Sequence, residues 1–422
     1  MLDKRLIRDN PEAIRRAIET RGYTMDVDQI IALDKELLEN LQAADKLKHE
    51  RNVKSEEIGN RKRAGKSTKE LHEHLKKISL EIKTLEAKDK NLSEKLNELL
   101  LLLPNIPHES VPVGNGPEDN VVVRIHGEIP EQFFDIAPHW EIGERIGVLD
   151  LEAGRKISGR GFIVFRKEGA LLCRALVNLM LDTHREKGYE EVLIPYMVNR
   201  DAMIGTGQLP KLSDDMYLCE VDDLFLIPTS EVPITNIHRD TFIALEDLPL
   251  KHTAFSPCFR REAGSYGADT RGLLRVHQFD KVEIVKIVHP DTSYEELESL
   301  VLDASAILDA LELPYRVVEL CTADLGFAAA KCYDLEVYAP GIKKWLEVSS
   351  CSNFEAFQAR RANIKLKKTP GEKHRFAHTL NGSGLALPRI IAAIFEFHQT
   401  PTGRVKIPKR LVPYMHGVEY LG

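Results

Sequence analysis

Three groups of residues carry side chains whose types and spacing suit chemistry on an anion. The first is Phe259-Arg260-Arg261-Glu262, then the loop AGSYGADTRG, then Leu274-Arg275-Val276-His277-Gln278-Phe279-Asp280-Lys281-Val282-Glu283. An apolar run, a Gly-rich polar loop and an alternating run predict a long-looped hairpin. Arginines at its base suit phosphate, because a guanidinium offers paired donors to phosphoryl oxygens. The second group is Leu346-Glu347-Val348-Ser349-Ser350-Cys351-Ser352-Asn353, a strand whose acidic and hydroxylic residues offer hard oxygen ligands of the kind Mg²⁺ takes. The third is Asn381-Gly382-Ser383-Gly384-Leu385-Ala386, then Leu387-Pro388-Arg389 opening an apolar helix. It reads as a Gly-rich turn leading to a helix N-terminus, where backbone N–H groups and an arginine favour anions. Each group also has a plainer reading on its own: Arg260 as half of a surface ion pair, His277 as a structural histidine, NGSG as a simple turn.

The elements that must hold these residues are short. β-branched and aromatic runs such as LFLIPTS, HTAFSPCF, VEIVKIV, YRVVEL, YDLEVYA and KKWLEVSS are separated by turns and by helices near 169–187, 294–311 and 387–399. Strands and helices do not alternate, and no GxGxxG follows a strand. The pattern predicts an α+β fold, a mostly antiparallel sheet flanked by helices. Ahead of it, Pro104, Pro107, Pro112, Pro117, Gly114 and Gly116 mark a boundary. This divides an N-terminal domain, residues 1–104, from a body, residues 105–422.

The N-terminal part has a different period. Leu71, Ile78, Leu85, Leu92 and Leu99 repeat every seven residues, and Leu75, Ile82, Leu96 and Leu103 form a second series broken at Asp89. That is a coiled-coil seam. An apolar stripe at Ile30, Leu33, Leu37, Ala44, Leu47 and Ile58 supplies its partner. Two long helices, about 28–58 and 68–103, must therefore pair antiparallel around the polar tip GNRKRAGKS. Residues 46–69 hold nine Lys and Arg against three acidic residues, whereas residues 26–98 balance at sixteen each. Positive charge collects at the tip, which fits either a grip on a polyanion or a solvated end. GNRKRAGKS is one residue too long for a phosphate-binding loop, and no strand precedes it.

Composition narrows the class. The chain has 422 residues, a formal charge of -7, 43% hydrophobic and 29% charged residues. These values exclude a disordered chain and a collagen-like fibre. No apolar run approaches the length of a membrane span, and the charged amphipathic N-terminus lacks the centre of a secretory signal, so a cytoplasmic protein is expected. The six cysteines include no CxxC pair, so neither a disulfide scaffold nor zinc is expected.

Together and in this order, the three groups resemble the seryl branch of the class II aminoacyl-tRNA synthetases. FRREAGSYGADTRGLLRVHQFDKVE resembles the family's motif 2 and TLNGSGLALPR its motif 3. KGYEEVLIPYMV resembles motif 1, with Pro195 at the position the family places in its dimer interface. PTSE at Pro228–Glu231 resembles the serine-recognition TxE element, and the coiled coil resembles the family's tRNA-binding domain. The likeness runs the full length, and neither HIGH nor KMSKS is present.

The resemblance implies ATP-dependent activation of L-serine to seryl-adenylate and its transfer to the 3′ end of tRNA(Ser), with tRNA(Sec) as a further candidate. It implies that Arg260, Glu262 and Arg389 carry catalysis. ATP would be bound by these three with Arg261, Val276, Phe279, Glu347, Val348, Ser349 and Ser350, and Mg²⁺ by Glu347 and Ser350. Serine would meet Thr229, Ser230, Glu231, Arg260, Glu283, Asn381 and Ser383. The tip residues Arg51, Lys54, Arg61, Lys62, Arg63 and Lys66 would contact tRNA, and the active species would be a homodimer. Three rivals stand beside this reading: an amino acid:carrier-protein ligase, which shares the body but lacks the arm; an inactive RNA-binding paralogue, against which the intact Arg260, Glu262, Glu283, Glu347 and Arg389 count; and a coiled-coil interaction protein with an unrelated body.

Overall fold

Two long helices account for most of the N-terminal sequence. In the computed structural model, which describes residues 1–131, 133–263, 271–367 and 374–422, they run Val27–Arg63 and Lys69–Leu102. Asp26 caps the first, its side chain accepting from the Gln29 N–H. Ile30, Leu37, Ala44 and Ile58 are buried on one helix and Leu71, Ile78, Ile82, Leu92 and Leu96 on the other, the seam the heptads predict. The break at Asp89 has a partner: the buried Asn40 amide donates to the Asp89 carboxylate and to the Leu85 carbonyl. A polar pair inside a seam fixes its register. Lys88–Glu36 at 2.9 Å and His74–Glu50 at 2.8 Å close the antiparallel pair from its flanks.

The first helix runs five residues beyond the expected end at 58. GNRKR is its last turn, and only residues 64–68 connect the two helices. Arg61, Lys62 and Arg63 thus also sit where cations oppose the helix dipole.

The chain forms two compact units, one of Leu2–Glu19 with Tyr23–Leu103, the other of Met1, Thr20–Gly22 and Pro104–Gly422. The second is built on eight strands: β1 Val121–His126, β2 Glu190–Glu191, β3 Leu250–Phe259, β4 Gln278–Val288, β5 Tyr315–Glu319, β6 Lys331–Ala339, β7 Lys344–Asn353 and β8 His378–Ala386. Their order across the sheet is β1-β5-β6-β7-β8-β4-β3-β2. Every pairing is antiparallel except β2 with β3. The α+β expectation therefore holds. Helices Lys167–Glu186, Ser293–Ala310 and Leu387–Phe397 bury Leu172, Leu176, Leu300, Ala304, Ile390 and Ile394 in one core with Val282, Ile284 and Leu335 of the sheet. The opposite faces of the same strands are left to the site.

Two irregularities decide what those faces display. Leu335 pairs with Ser349, but the next residue, Glu336, pairs with Glu347, so Val348 is an extra residue in β7. Glu347 and Ser350 are three apart and would face opposite ways on a regular strand. The bulge brings both to the same face and turns the Ser349 hydroxyl onto the Ser383 carbonyl at 2.6 Å. A second register shift sets Lys281 against Ala386 but Glu283 against Ser383. It places Leu385 at φ +126°, an unfavourable conformation held by complete burial.

The expected turn at NGSG is instead part of β8. Its glycines serve close packing: a Cβ on Gly384 would lie 2.4 Å from the His184 ring, and one on Gly382 3.0 Å from the Cys351 sulfur.

Candidate active site

The hairpin predicted from Phe259 onward is β3 and β4. Phe259 pairs with Gln278, and beyond it the Arg260 N–H donates to the His277 carbonyl at 2.9 Å, while the His277 Nδ1 lies 3.0 Å from the Arg260 carbonyl. His277 closes the hairpin end, which is the structural role expected of it. Residues 264–270 of the loop lie outside the described residues.

Because side chains alternate, Phe279, Lys281 and Glu283 share one face of β4. The Arg260 guanidinium sits 5.2 Å from the Phe279 ring centre, and its Nε donates to the Pro228 carbonyl at 3.3 Å. Arg275 donates to Glu262 at 3.0 Å. From the first turn of the helix Leu387–Phe397, Arg389 Nη1 donates to the carbonyl and the carboxylate of Glu347 at 2.8 and 3.1 Å.

Two cavities result. Arg260, Glu262, Arg275, Val276, Phe279, Glu347, Val348 and Arg389 line one, which offers a ring face, three guanidinium groups and two carboxylates. Thr229, Glu231, Glu283, Ser350 and Asn381 line the other, of about 390 Å³. Arg260, Lys281, Glu347 and Ser383 line both. A polyanion in the first and a small polar molecule in the second would therefore meet at Arg260.

The second cavity is a buried carboxylate pocket. Glu283 is fully buried, accepts from Asn381 Nδ2 at 3.0 Å and pairs with Lys281, which also donates to Thr229 Oγ1 at 2.8 Å. Burial, and next the Glu283 charge, push the Glu231 carboxyl up to about 7, against the lowering influence of Gln358, Lys281 and Arg260. Burial also raises Glu283. Asp215, Glu231, Glu283 and Glu347 outnumber Arg260 and Lys281 around the pocket, so a ligand carrying an ammonium group suits it.

Three expected residues do not reach a cavity. The Arg261 guanidinium faces the Tyr217 ring at 6.0 Å. Ser230 Oγ is spent on Ser256 at 2.6 Å, and Ser349 on the Ser383 carbonyl. Asp215 went unnoticed in the sequence; its carboxylate accepts from the Ala263 N–H and its carbonyl from the Arg261 N–H, anchoring the start of the loop. Lys281 was legible by alternation with Phe279 and Glu283. Asp334 of β6 lies opposite Ser350 in register, and burial, then the Glu347 charge, raise its carboxyl well above the usual range.

The donor set fits Mg²⁺. Glu347 and Ser350 present hard oxygens to one cavity, few enough for an ion that keeps water and phosphate ligands. Among the described residues, no group of three His, Cys, Asp or Glu side chains suits a protein-only metal cage.

An antiparallel sheet carrying an arginine-based hairpin beside a second arginine at a helix start defines a class II aminoacyl-tRNA synthetase. Residues 217–398 match the family model for the tRNA synthetase class II core domain (G, H, P, S and T). Residues 1–107 match that for the seryl-tRNA synthetase N-terminal domain. The chain is 53% identical to the serine--tRNA ligase of Kosmotoga olearia over the whole of both chains. Seryl-tRNA synthetase from Pyrococcus horikoshii, solved in complex with ATP, superposes with a TM-score of 0.94 at 39% identity, covering 100% of this chain and 99% of that one. Giardia lamblia prolyl-tRNA synthetase, at 18% identity and a TM-score of 0.57 over 67% of this chain and 58% of that one, shares the fold.

The chain belongs to the seryl-tRNA synthetase family and is an aminoacyl-tRNA ligase.

Proposed function

We propose that the joined cavities activate L-serine with ATP and pass it to the 3′ end of tRNA(Ser), with tRNA(Sec) a second acceptor of the same kind. The observation that carries this reading is the shared lining: Arg260 and Glu347 stand where the polyanion cavity and the carboxylate pocket meet.

Adenine stacks on Phe279, and the triphosphate lies between Arg260 and Arg389. Glu231, Glu283 and Thr229 take the serine ammonium and hydroxyl, with Asn381 holding Glu283. The serine carboxylate then faces the α-phosphorus beside Arg260. One of its oxygens attacks phosphorus, the bond to pyrophosphate breaks, and seryl-adenylate forms. In the second step a ribose hydroxyl at the 3′ end of the tRNA attacks the seryl carbonyl and AMP leaves. Positioning and charge stabilisation supply most of the acceleration in such displacements, and no side-chain nucleophile is needed. Mg²⁺, held through Glu347 and Ser350, would neutralise phosphate charge when bound. Alanine would leave the pocket's buried acceptors unpaired and is strongly rejected; threonine adds only a methyl group and is excluded sterically. ATP–pyrophosphate exchange measured with all twenty amino acids tests this: serine alone should support rapid exchange, and exchange with a different amino acid, or with none, refutes it.

The coiled coil supports a backbone grip on tRNA in place of base reading. Arg61 and Lys54 already pair with Glu57, at 2.7 and 3.6 Å, and Arg63 donates to Asn60. Among the described residues, Arg51, Lys62 and Lys66 make no ion pair. Replacing Lys62, Arg63 and Lys66 by alanine should weaken tRNA binding and lower the slope of log K against log salt by roughly two to three units. An unchanged slope would make the tip a solvated end.

A further inference from the structure

Gln358 lies outside every motif that pointed to the site, on the short helix Phe357–Arg361, and only 1% of it is exposed. It lines neither cavity, yet its side-chain amide is fully engaged and one of its bonds reaches the carboxylate pocket. One Nε2 proton goes to Glu231 Oε1 and the other to the Thr206 carbonyl at 3.1 Å. The amide oxygen accepts from Thr379 Oγ1 at 2.7 Å, and Thr379 and Thr206 are themselves buried. These partners leave one orientation: a flipped amide would turn its oxygen onto the Thr206 carbonyl and the Glu231 carboxylate. Among the described residues, no donor reaches Glu231 Oε2.

We propose that Gln358 is a positioning residue for substrate selection: by holding Glu231 Oε1 it turns Oε2 into the cavity as the acceptor for the ammonium or hydroxyl of the bound amino acid. This rests on the reading of that cavity as the serine pocket. Glu231 faces Glu283, Lys281 and Arg260 as well as Gln358. The neighbouring carboxylate resists its ionisation, so without a fixed donor it would accept a proton more readily, or turn its free oxygen away from the cavity. Thr379 acts one step further out, by fixing which end of the amide meets the carboxylate. Gln358 thereby links three separate stretches of chain, at 206, 231 and 379, to one oxygen atom of the pocket.

The test follows serine-dependent pyrophosphate exchange across a range of pH for the wild-type protein, Gln358→Met, Thr379→Val and Glu231→Gln. Gln358→Met keeps the length and removes the donor. It should raise KM for serine roughly 10- to 100-fold, the worth of a hydrogen bond to a charged group, with KM for ATP nearly unchanged. The acid limb of kcat/KM for serine, which reports the free enzyme, should move to higher pH because an influence that lowers the Glu231 pKa is gone. Thr379→Val should move both in the same direction by less, and it decides the matter should Gln358→Met fail to bind ATP. In the Glu231→Gln background, Gln358→Met should add little. Wild-type serine KM and acid limb in both Gln358→Met and Thr379→Val, or a fall in kcat alone, would overturn the proposal. A normal serine KM in Glu231→Gln would instead overturn the assignment of the pocket itself.

Discussion

Replacing Arg260 by alanine should lower serine-dependent pyrophosphate exchange by about a thousandfold or more, the scale seen when a fixed donor to a developing charge is removed. Arg260 is the one guanidinium among the described residues that lines both cavities, and the Pro228 carbonyl and the Phe279 ring hold it there before any ligand arrives. Its stabilisation therefore requires little reorganisation as charge builds on the α-phosphate. Arg260→Lys should recover little, because an ammonium lacks the planar fork and cannot keep both the carbonyl contact and the ring contact. A second effect is expected on pH. Arg260 is among the groups that lower the pKa of Glu231 and Glu283, so its loss should move the acid limb for serine to higher pH. Binding of tRNA in a filter assay should stay close to wild type. Exchange within about tenfold of wild type would remove Arg260 from its assigned role.

Glu347→Gln should reduce exchange roughly 100-fold at ordinary Mg²⁺ and raise the Mg²⁺ concentration needed for half-maximal rate. The substitution preserves shape. Arg389 keeps its bond to the residue-347 carbonyl, at 2.8 Å in the wild type, so the bulge and the helix start stay in place while the negative charge is removed. A titration of exchange against Mg²⁺ separates this from general damage: a lower plateau with an unmoved midpoint would show that Glu347 does not help to hold the ion.

The two kinds of periodicity were open to different degrees. A heptad repeat is local, so the coiled coil could be read from Leu71 to Leu99 without knowing the fold, and even its flaw at Asp89 was visible. What could not be read was the cure for that flaw, since Asn40 is forty-nine residues away and meets Asp89 only when the helices pair. The end of the first helix was missed for a similar reason: Gly59 weakens a helix by its own propensity, but Ile58 is buried in the seam and the helix continues past it.

In the body, the alternating run after the loop was legible as the second strand of a hairpin, and the motif resemblance named Arg260, Glu347 and Arg389. Alternation fails where the strand does. Glu347 and Ser350 share a face only through an extra residue that the partner strand leaves unpaired, and NGSG is strand because it pairs with β4 on one side and β7 on the other.

Residue order alone shows which side chains are available and how they repeat: a leucine seam with a basic tip, an alternating hairpin with arginines at its base, and a full-length family resemblance. Tertiary structure alone decided which oxygens face which cavity, that Arg260 borders both, and that a buried glutamine 127 residues from Glu231 holds it. The reason is range. Periodicity is written in neighbours a few residues apart, whereas bulges, cavities and buried hydrogen bonds arise from contacts between strands and helices distant in the chain.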